Sequence, residues 1–154
     1  ITFDLLESAD PSRIHIDAYL KTGTCYIASI NSKIVGVIVL DQIGVNSMEI
    51  KNIAVEGSWQ GQGIGKYLLK HAELICRKAE IETLVIGTGN SSIGQLGLYQ
   101  KMGFEMRRIE RDFFTKNYSE PIVENGILCK HLVILEKKIC EKLKKRSTFR
   151  QKRG

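Results

Sequence analysis

Gly61, Gly63 and Gly65 alternate within the stretch Gln60-Gly61-Gln62-Gly63-Ile64-Gly65-Lys66. A turn of this kind at the start of a helix can hold an anion. The first N–H groups of a helix have no intrahelical partner and lie at the positive end of its dipole. Phosphate or pyrophosphate suits that position, and glycine lets it approach the backbone closely. Two familiar phosphate loops fail on spacing. A Walker A loop requires Ser or Thr after its Lys, and Lys66 is followed by Tyr67. A G-x-G-x-x-G fingerprint begun at Gly61 meets Lys66 at its third glycine, and begun at Gly63 it meets Leu68.

The elements around the turn must position it. Residues 48–55 read as a strand. Residues 64–79 read as a helix whose apolar face is Ile64, Leu68, Ala72, Ile75 and Ala79. Residues 83–87 form a short apolar strand suited to a buried parallel pair. Residues 88–92 turn into a helix over 93–102, which Gly103 stops. Upstream, residues 1–6 read as a short edge strand. Asp10-Pro11-Ser12 starts a helix carrying Ile14, Ile16 and Ala18, which ends near Gly23. Strands follow over 25–30 and 34–43, joined by a hairpin turn at Asn31-Ser32. Two last strands are expected over 104–114 and 127–135, with a long loop, 115–126, between them. The class is therefore α/β: a mixed twisted sheet, antiparallel in its first half and parallel at its centre, flanked by helices.

Gln60-x-x-Gly63-x-Gly65, after a strand ending Asn52-Ile53-Ala54-Val55, resembles the coenzyme A pyrophosphate loop of the GNAT superfamily of N-acetyltransferases. Downstream, Leu98-Tyr99-Gln100-Lys101-Met102-Gly103-Phe104 is similar to that superfamily's Leu-Tyr-x-x-x-Gly-Phe signature. The two matches occur in the family's order, and the pattern covers residues 24–136. The resemblance implies the GNAT-like acyl-CoA N-acyltransferase fold and acetyl-CoA as cosubstrate. It also implies direct attack by a primary amine in a ternary complex. The acceptor would be a small-molecule amine or a peptide amine, as in ribosomal-protein acetyltransferases.

The resemblance also assigns residues. The N–H groups of Gln60, Gly61, Gln62, Gly63, Ile64, Gly65 and Lys66 would take the pyrophosphate. The backbone of Ile53, Ala54 and Val55 would pair with the pantetheine arm. The family's pantetheine-binding Asn falls at Ser92 here, so either Asn90 or Ser92 is the contact. Tyr99 matches the tyrosine whose hydroxyl faces the coenzyme A sulfur and would ease departure of the thiolate. Glu49 stands eleven positions before Gln60, where histone acetyltransferases of the superfamily place their catalytic glutamate. Glu56 or a chain of waters is the alternative base. Strand alternation sets Glu49, Lys51, Ile53 and Val55 on one face. Asp112, Phe113, Phe114 and Tyr118 crowd acids and aromatics that would suit a cationic acceptor or anchor their own loop.

Composition narrows the class. The chain has 154 residues, 43% hydrophobic and 26% charged, enough for one domain with a real core. That domain is expected over 1–136. The net charge of +6 is uneven: residues 137–154 hold nine Lys or Arg and one acid, net +8. The remainder has fourteen basic and sixteen acidic residues, net −2, which argues against a broad nucleic-acid-binding face. The tail is read as a basic helix end, partly disordered, or as a contact for nucleic acid or acidic lipid. Cys25, Cys76, Cys129 and Cys140 and the three histidines lack metal-ligand spacing, so no metal is expected and the thiols read as free. No apolar run suits a membrane span, and Ile1-Thr2-Phe3-Asp4 lacks a basic, cleavable pattern, so no secretory signal is expected. A cytoplasmic protein is expected, with a homodimer left open. Outside the enzyme class stand a coenzyme A-binding regulatory module without turnover and a nucleic-acid-associated protein acting through its tail.

Overall fold

Two successive left-handed residues fix the first hairpin. Asn31 and Ser32 have φ of 50° and 65°, the type I′ geometry whose twist matches paired strands. They join β1 (Thr24–Ile30) to β2 (Lys33–Gln42). The computed structural model describes residues 3–139. Next come β3 (Ser47–Val55), antiparallel to β2, and β4 (Thr83–Gly89), parallel to β3. The chain continues through β5 (Glu105–Glu110) and the small hairpin β6 (Val123–Glu124) and β7 (Ile127–Leu128). It then returns as β8 (Leu132–Lys138), between β4 and β5. The six-stranded order is β1-β2-β3-β4-β8-β5, parallel only at β3 and β4. A mixed sheet with a central parallel pair is the expected architecture.

Helices cover both faces. On one, α3 (Ile64–Lys78) and α4 (Ile93–Lys101) bury Leu68, Leu69, Ala72, Cys76 and Tyr99 against Ile38, Leu40, Ile50, Ile86 and Leu135. On the other, α1 (Phe3–Ala9) and α2 (Arg13–Thr22) bury Leu6 and Ile16 against Val37, Val39 and Ala54. Ser12 caps α2, its Oγ accepting from His15 N at 3.3 Å. The buried stripe of α3 is wider than the spacing reading and includes Leu69, Glu73 and Cys76. Glu73 can be buried because Lys137 of β8 reaches it. Lys137 Nζ also donates to Met102 O at 2.6 Å, so one ammonium joins α3, β8 and the end of α4.

Three expectations are corrected. Residues 3–6 belong to helix α1, not to an edge strand, because Leu6 is needed as a lid on β3. The strand expected over 104–114 stops at Glu110; Asp112 turns left-handed at φ 59° and starts the short α5 (Phe113–Asn117). The strand expected over 127–135 is broken. Asn90 Oδ1 accepts from Lys130 N at 2.8 Å and His131 N at 2.9 Å, so a side chain takes main-chain donors there. The basic tail beyond Ile139 lies outside the described residues. Among the described residues no helix is long and apolar enough to cross a membrane.

Candidate functional site

β3 and β4 pair only from Ser47 with Thr83 to Ile50 with Ile86. Both strands continue, β3 to Val55 and β4 to Gly89, without pairing with each other. The sheet therefore opens at its centre, and the facing edges present main-chain groups that need partners. An extended ligand entering there can pair with the backbone of Ile53, Ala54 and Val55 like an added strand. One of these carbonyls is already engaged, since Gln60 Nε2 donates to Val55 O at 3.1 Å.

A bulge sits where the gap begins. Val39 of β2 faces Asn52, but Leu40 faces Ile50, so Lys51 is the extra residue with no partner on β2. The bulge inverts the alternation of β3. Ile50, Ile53 and Val55 pack toward α3, whereas Ala54 packs toward α1 and α2. Glu49, alternating with Met48 and Ile50, faces the α1/α2 side, away from Ile53 and Val55. The expectation of one shared face for Glu49, Ile53 and Val55 is thus overturned by a single inserted residue. Lys51 Nζ donates to Glu49 Oε1 at 3.0 Å.

The glycine turn stands at the mouth of the gap. β3 ends at Val55, a short 3₁₀ turn spans Gly57–Trp59, and α3 begins at Ile64. Gly61 and Gly63 have φ of 77° and 86°, which side chains with a Cβ adopt only at a cost. No atom lies within 4 Å of where a Cβ would stand on either. The turn is thus glycine for its backbone and open in front. Gly63 caps α3 without a side-chain bond, and Tyr67 N→Gly63 O at 3.0 Å is the first helical bond. The N–H groups of Ile64, Gly65 and Lys66 are left facing outward at a helix N-terminus. This fits a pyrophosphate.

Tyr99 is 4% exposed and its ring packs on Phe104, with centroids 6.1 Å apart. Burial pushes its phenol far up, so it is a neutral O–H donor at physiological pH. Helix α4 abuts the turn: a Cβ on Gly65 would lie 3.7 Å from Leu98. Glu56, the alternative base, is partly exposed. Its carboxyl is held below the usual range by the Ser58 hydroxyl, which weakens it as a proton acceptor. Asn90 is committed to the backbone of 128–131, and Ser92 Oγ donates to Glu124 at 3.2 Å. Burial raises the Cys76 thiol to about 11 and also raises Cys25 and Cys129, so these thiols stay protonated. Among the described residues no cluster of His, Cys, Asp or Glu is arranged to hold a metal.

On the α1/α2 side a polar chain runs beneath the gap. Asn52 Nδ2 donates to Leu6 O at 2.9 Å and to Tyr19 OH at 2.8 Å. Tyr19 OH makes a long 3.5 Å contact to Asp10 Oδ2, and Tyr118 OH donates to Asp10 Oδ1 at 2.8 Å. His15 Nδ1 is 3.0 Å from the same Tyr118 oxygen and must donate, since that hydroxyl's proton is spent on Asp10. Burial raises Tyr19 to about 12 and lifts Tyr118 as well, with Asp10 adding to both. Of the four residues expected at the acceptor, the structure brings only Tyr118 into this chain. Phe114 packs at a tilt against Tyr118, centroids 5.4 Å apart, and Phe113 meets Phe114 edge-to-face at 5.2 Å. Asp112 turns outward, its N–H donating to His131 Nδ1 at 2.9 Å. Asp10, His15, Tyr19 and Asn52 have no linear signal, because His15 and Asp10 meet Tyr118 across more than one hundred residues.

The arrangement is matched by known proteins. The model of the Acetyltransferase (GNAT) family matches residues 3–104. The protein called uncharacterized N-acetyltransferase YvbK of Bacillus subtilis (strain 168) is 47% identical over 133 residues, 86% of each chain. A GNAT family acetyltransferase from Elizabethkingia anophelis, solved with acetyl-CoA bound, superposes with a TM-score of 0.88 at 49% identity, covering 90% of both chains. A Bacillus subtilis acetyltransferase in complex with CoA gives 0.86 at 46% identity, over 90% of this chain and 91% of the other.

Proposed function

Because the chain belongs to the GNAT acetyltransferase family, we propose that it transfers the acetyl group of acetyl-CoA to a primary amine by direct attack in a ternary complex. The observation that carries this reading is the gap between β3 and β4 with an uncapped glycine turn at its mouth. Acetyl-CoA supplies the activated thioester when bound. The chain's residues do the rest. The N–H groups of residues 60–66 bind the pyrophosphate, and the backbone of Ile53–Val55 orients the arm in the gap. Asn90 is held by the 128–131 loop, so Ser92 is the better candidate for a further contact with the arm. Glu49, on the opposite face from Ile53 and Val55, is placed on the side from which an acceptor would come. It takes the proton of the amine, directly or through water. The buried Tyr99 hydroxyl donates toward the departing sulfur.

The first test is thiol release from acetyl-CoA across a panel of small amines and amino-terminal peptides. Release above the hydrolytic background with at least one acceptor supports the proposal. Acetyl-CoA binding without turnover across the panel would point to a non-catalytic coenzyme A module. Within this reading, Gly63→Val should weaken acetyl-CoA at least about tenfold by calorimetry, near 1.4 kcal/mol. A β-branched residue resists φ of 86° and would pull the first N–H groups of α3 out of line. Wild-type affinity in a folded variant would remove the turn from the site. Tyr99→Phe should lower kcat about tenfold, the worth of one good hydrogen bond, and change KM for acetyl-CoA less. An unaltered kcat would leave Tyr99 as packing.

A further inference from the structure

We infer that Asp10, set between the hydroxyls of Tyr19 and Tyr118, seats a positive charge on the acceptor other than the nitrogen that reacts. The acceptors would then be diamines or longer polyamines. This rests on the acetyltransferase reading of the same site and deepens it.

The Asp10 carboxylate is half-buried, and its donors are all neutral. Ser12 N donates to Oδ1 at 3.0 Å, Tyr118 OH to Oδ1 at 2.8 Å, and Tyr19 OH lies 3.5 Å from Oδ2. Among the described residues no Lys, Arg or His forms an ion pair with it. The nearest cation in sequence, Arg13, is already committed to Glu7 at 2.7 Å, to Asp17 at 3.7 Å and to the ring of Phe3. Both tyrosines remain neutral at physiological pH, so Asp10 carries the negative charge of the cluster. A carboxylate without a counter-ion among the described residues, set between two tyrosine hydroxyls, suits an alkylammonium. The carboxylate supplies the charge, and the tyrosine oxygens beside it can accept from the ammonium's remaining N–H groups.

A second observation ties the cluster to the gap. The Leu6 carbonyl can only accept, which fixes Nδ2 as the end of the Asn52 amide that faces it and Tyr19. Oδ1 of the same amide is buried, on a residue 4% exposed, and has no partner among the described residues. An orphan acceptor of this kind marks a polar network lacking one donor. Asn52 flanks the bulge at the head of the gap, and Asp10 reaches it only through the Tyr19 hydroxyl. A group on Asp10 is thus linked to the gap through the Asn52 and Tyr19 side chains rather than seated in it. It is the right side of the sheet for the far end of the same molecule.

The test uses diaminopropane, diaminobutane and diaminopentane against propylamine, butylamine and pentylamine. Wild-type protein should favour a diamine over its matched monoamine by about tenfold or more in kcat/KM, mainly through KM. Asp10→Asn keeps an oxygen for Ser12 but loses the charge, and should erase that preference. Tyr118→Phe, with Asp10 still charged, should reduce it. A wild type without the preference, or one whose preference survives Asp10→Asn, would overturn the assignment. Calorimetry of diaminobutane into the protein saturated with CoA gives a readout that does not depend on turnover. Binding that falls about tenfold in Asp10→Asn upholds the seat even if no amine is acetylated. Absent or unchanged binding refutes it while leaving acetylation of monoamines standing.

Discussion

Replacing Glu49 by glutamine is expected to slow acetyl transfer about 10²-fold while acetyl-CoA binding stays at its wild-type value. The amide keeps the shape and can still accept from Lys51, which donates to Oε1 at 3.0 Å. What is lost is an oxygen able to take a proton. An alkylamine has a pKa near 10.4, so most of it arrives protonated at neutral pH and a base has work to do. Binding should be spared because the bulge at Lys51 turns Glu49 away from the face of Ile53 and Val55. The deciding measurement is the pH–rate profile of both proteins with one acceptor. A changed ascending limb in the variant assigns the proton to Glu49. Superimposable profiles would assign it to water or another group, and Glu56, its carboxyl held low by Ser58, would then be replaced in turn.

The second large effect concerns stability. Lys137→Ala should cost about 3 kcal/mol, because it strands a buried carboxylate and frees the Met102 carbonyl at once. Among the described residues Glu73 then has only Arg77 left, at 3.8 Å and from an exposed side chain. For a chain of this size that corresponds to a fall of roughly 6–12 °C in Tm. The paired substitution Glu73→Gln with Lys137→Met should recover part of the loss, since neither side then carries a buried charge. A single variant that melts with the wild type would mean that the ammonium contributes no net stability.

Local rules read much of this molecule from its sequence. The Asn31-Ser32 turn, the helix start near Asp10-Pro11-Ser12, Gly103 after α4 and the glycine turn before α3 each depend on a few neighbouring residues. Each stands where its chemistry predicts. Asn125-Gly126 was an equally strong signal: φ of 55° and 72° make it the turn of the β6–β7 hairpin inside what reads as a plain loop. What the sequence conceals is set by distant partners. Residues 3–6 are helical because β3 needs a cover. The strand before Leu132 is interrupted because Asn90, some forty residues earlier, takes its donors. The bulge at Lys51 exists only in the register with β2, yet it decides which face Glu49 serves. The turn and strand end proposed to hold the donor are local features, and both were legible as elements in the sequence. The polar chain proposed to face the acceptor draws on α1, α2, β3 and the end of α5, and no spacing rule joins Asp10 to Tyr118.

The place of β8 has a consequence for synthesis on the ribosome. Strand β5 finds its partner in the sheet only in β8, and β8 also completes β4. While residues 132–138 are still within the exit tunnel, the nascent chain carries two open strand edges at once. One of them, Thr83–Gly89, borders the future site. Edges of that kind pair readily with other chains. Translation that stalls before Leu132 thus leaves a half-sheet poised to associate, and the domain closes only when its final described strand is inserted.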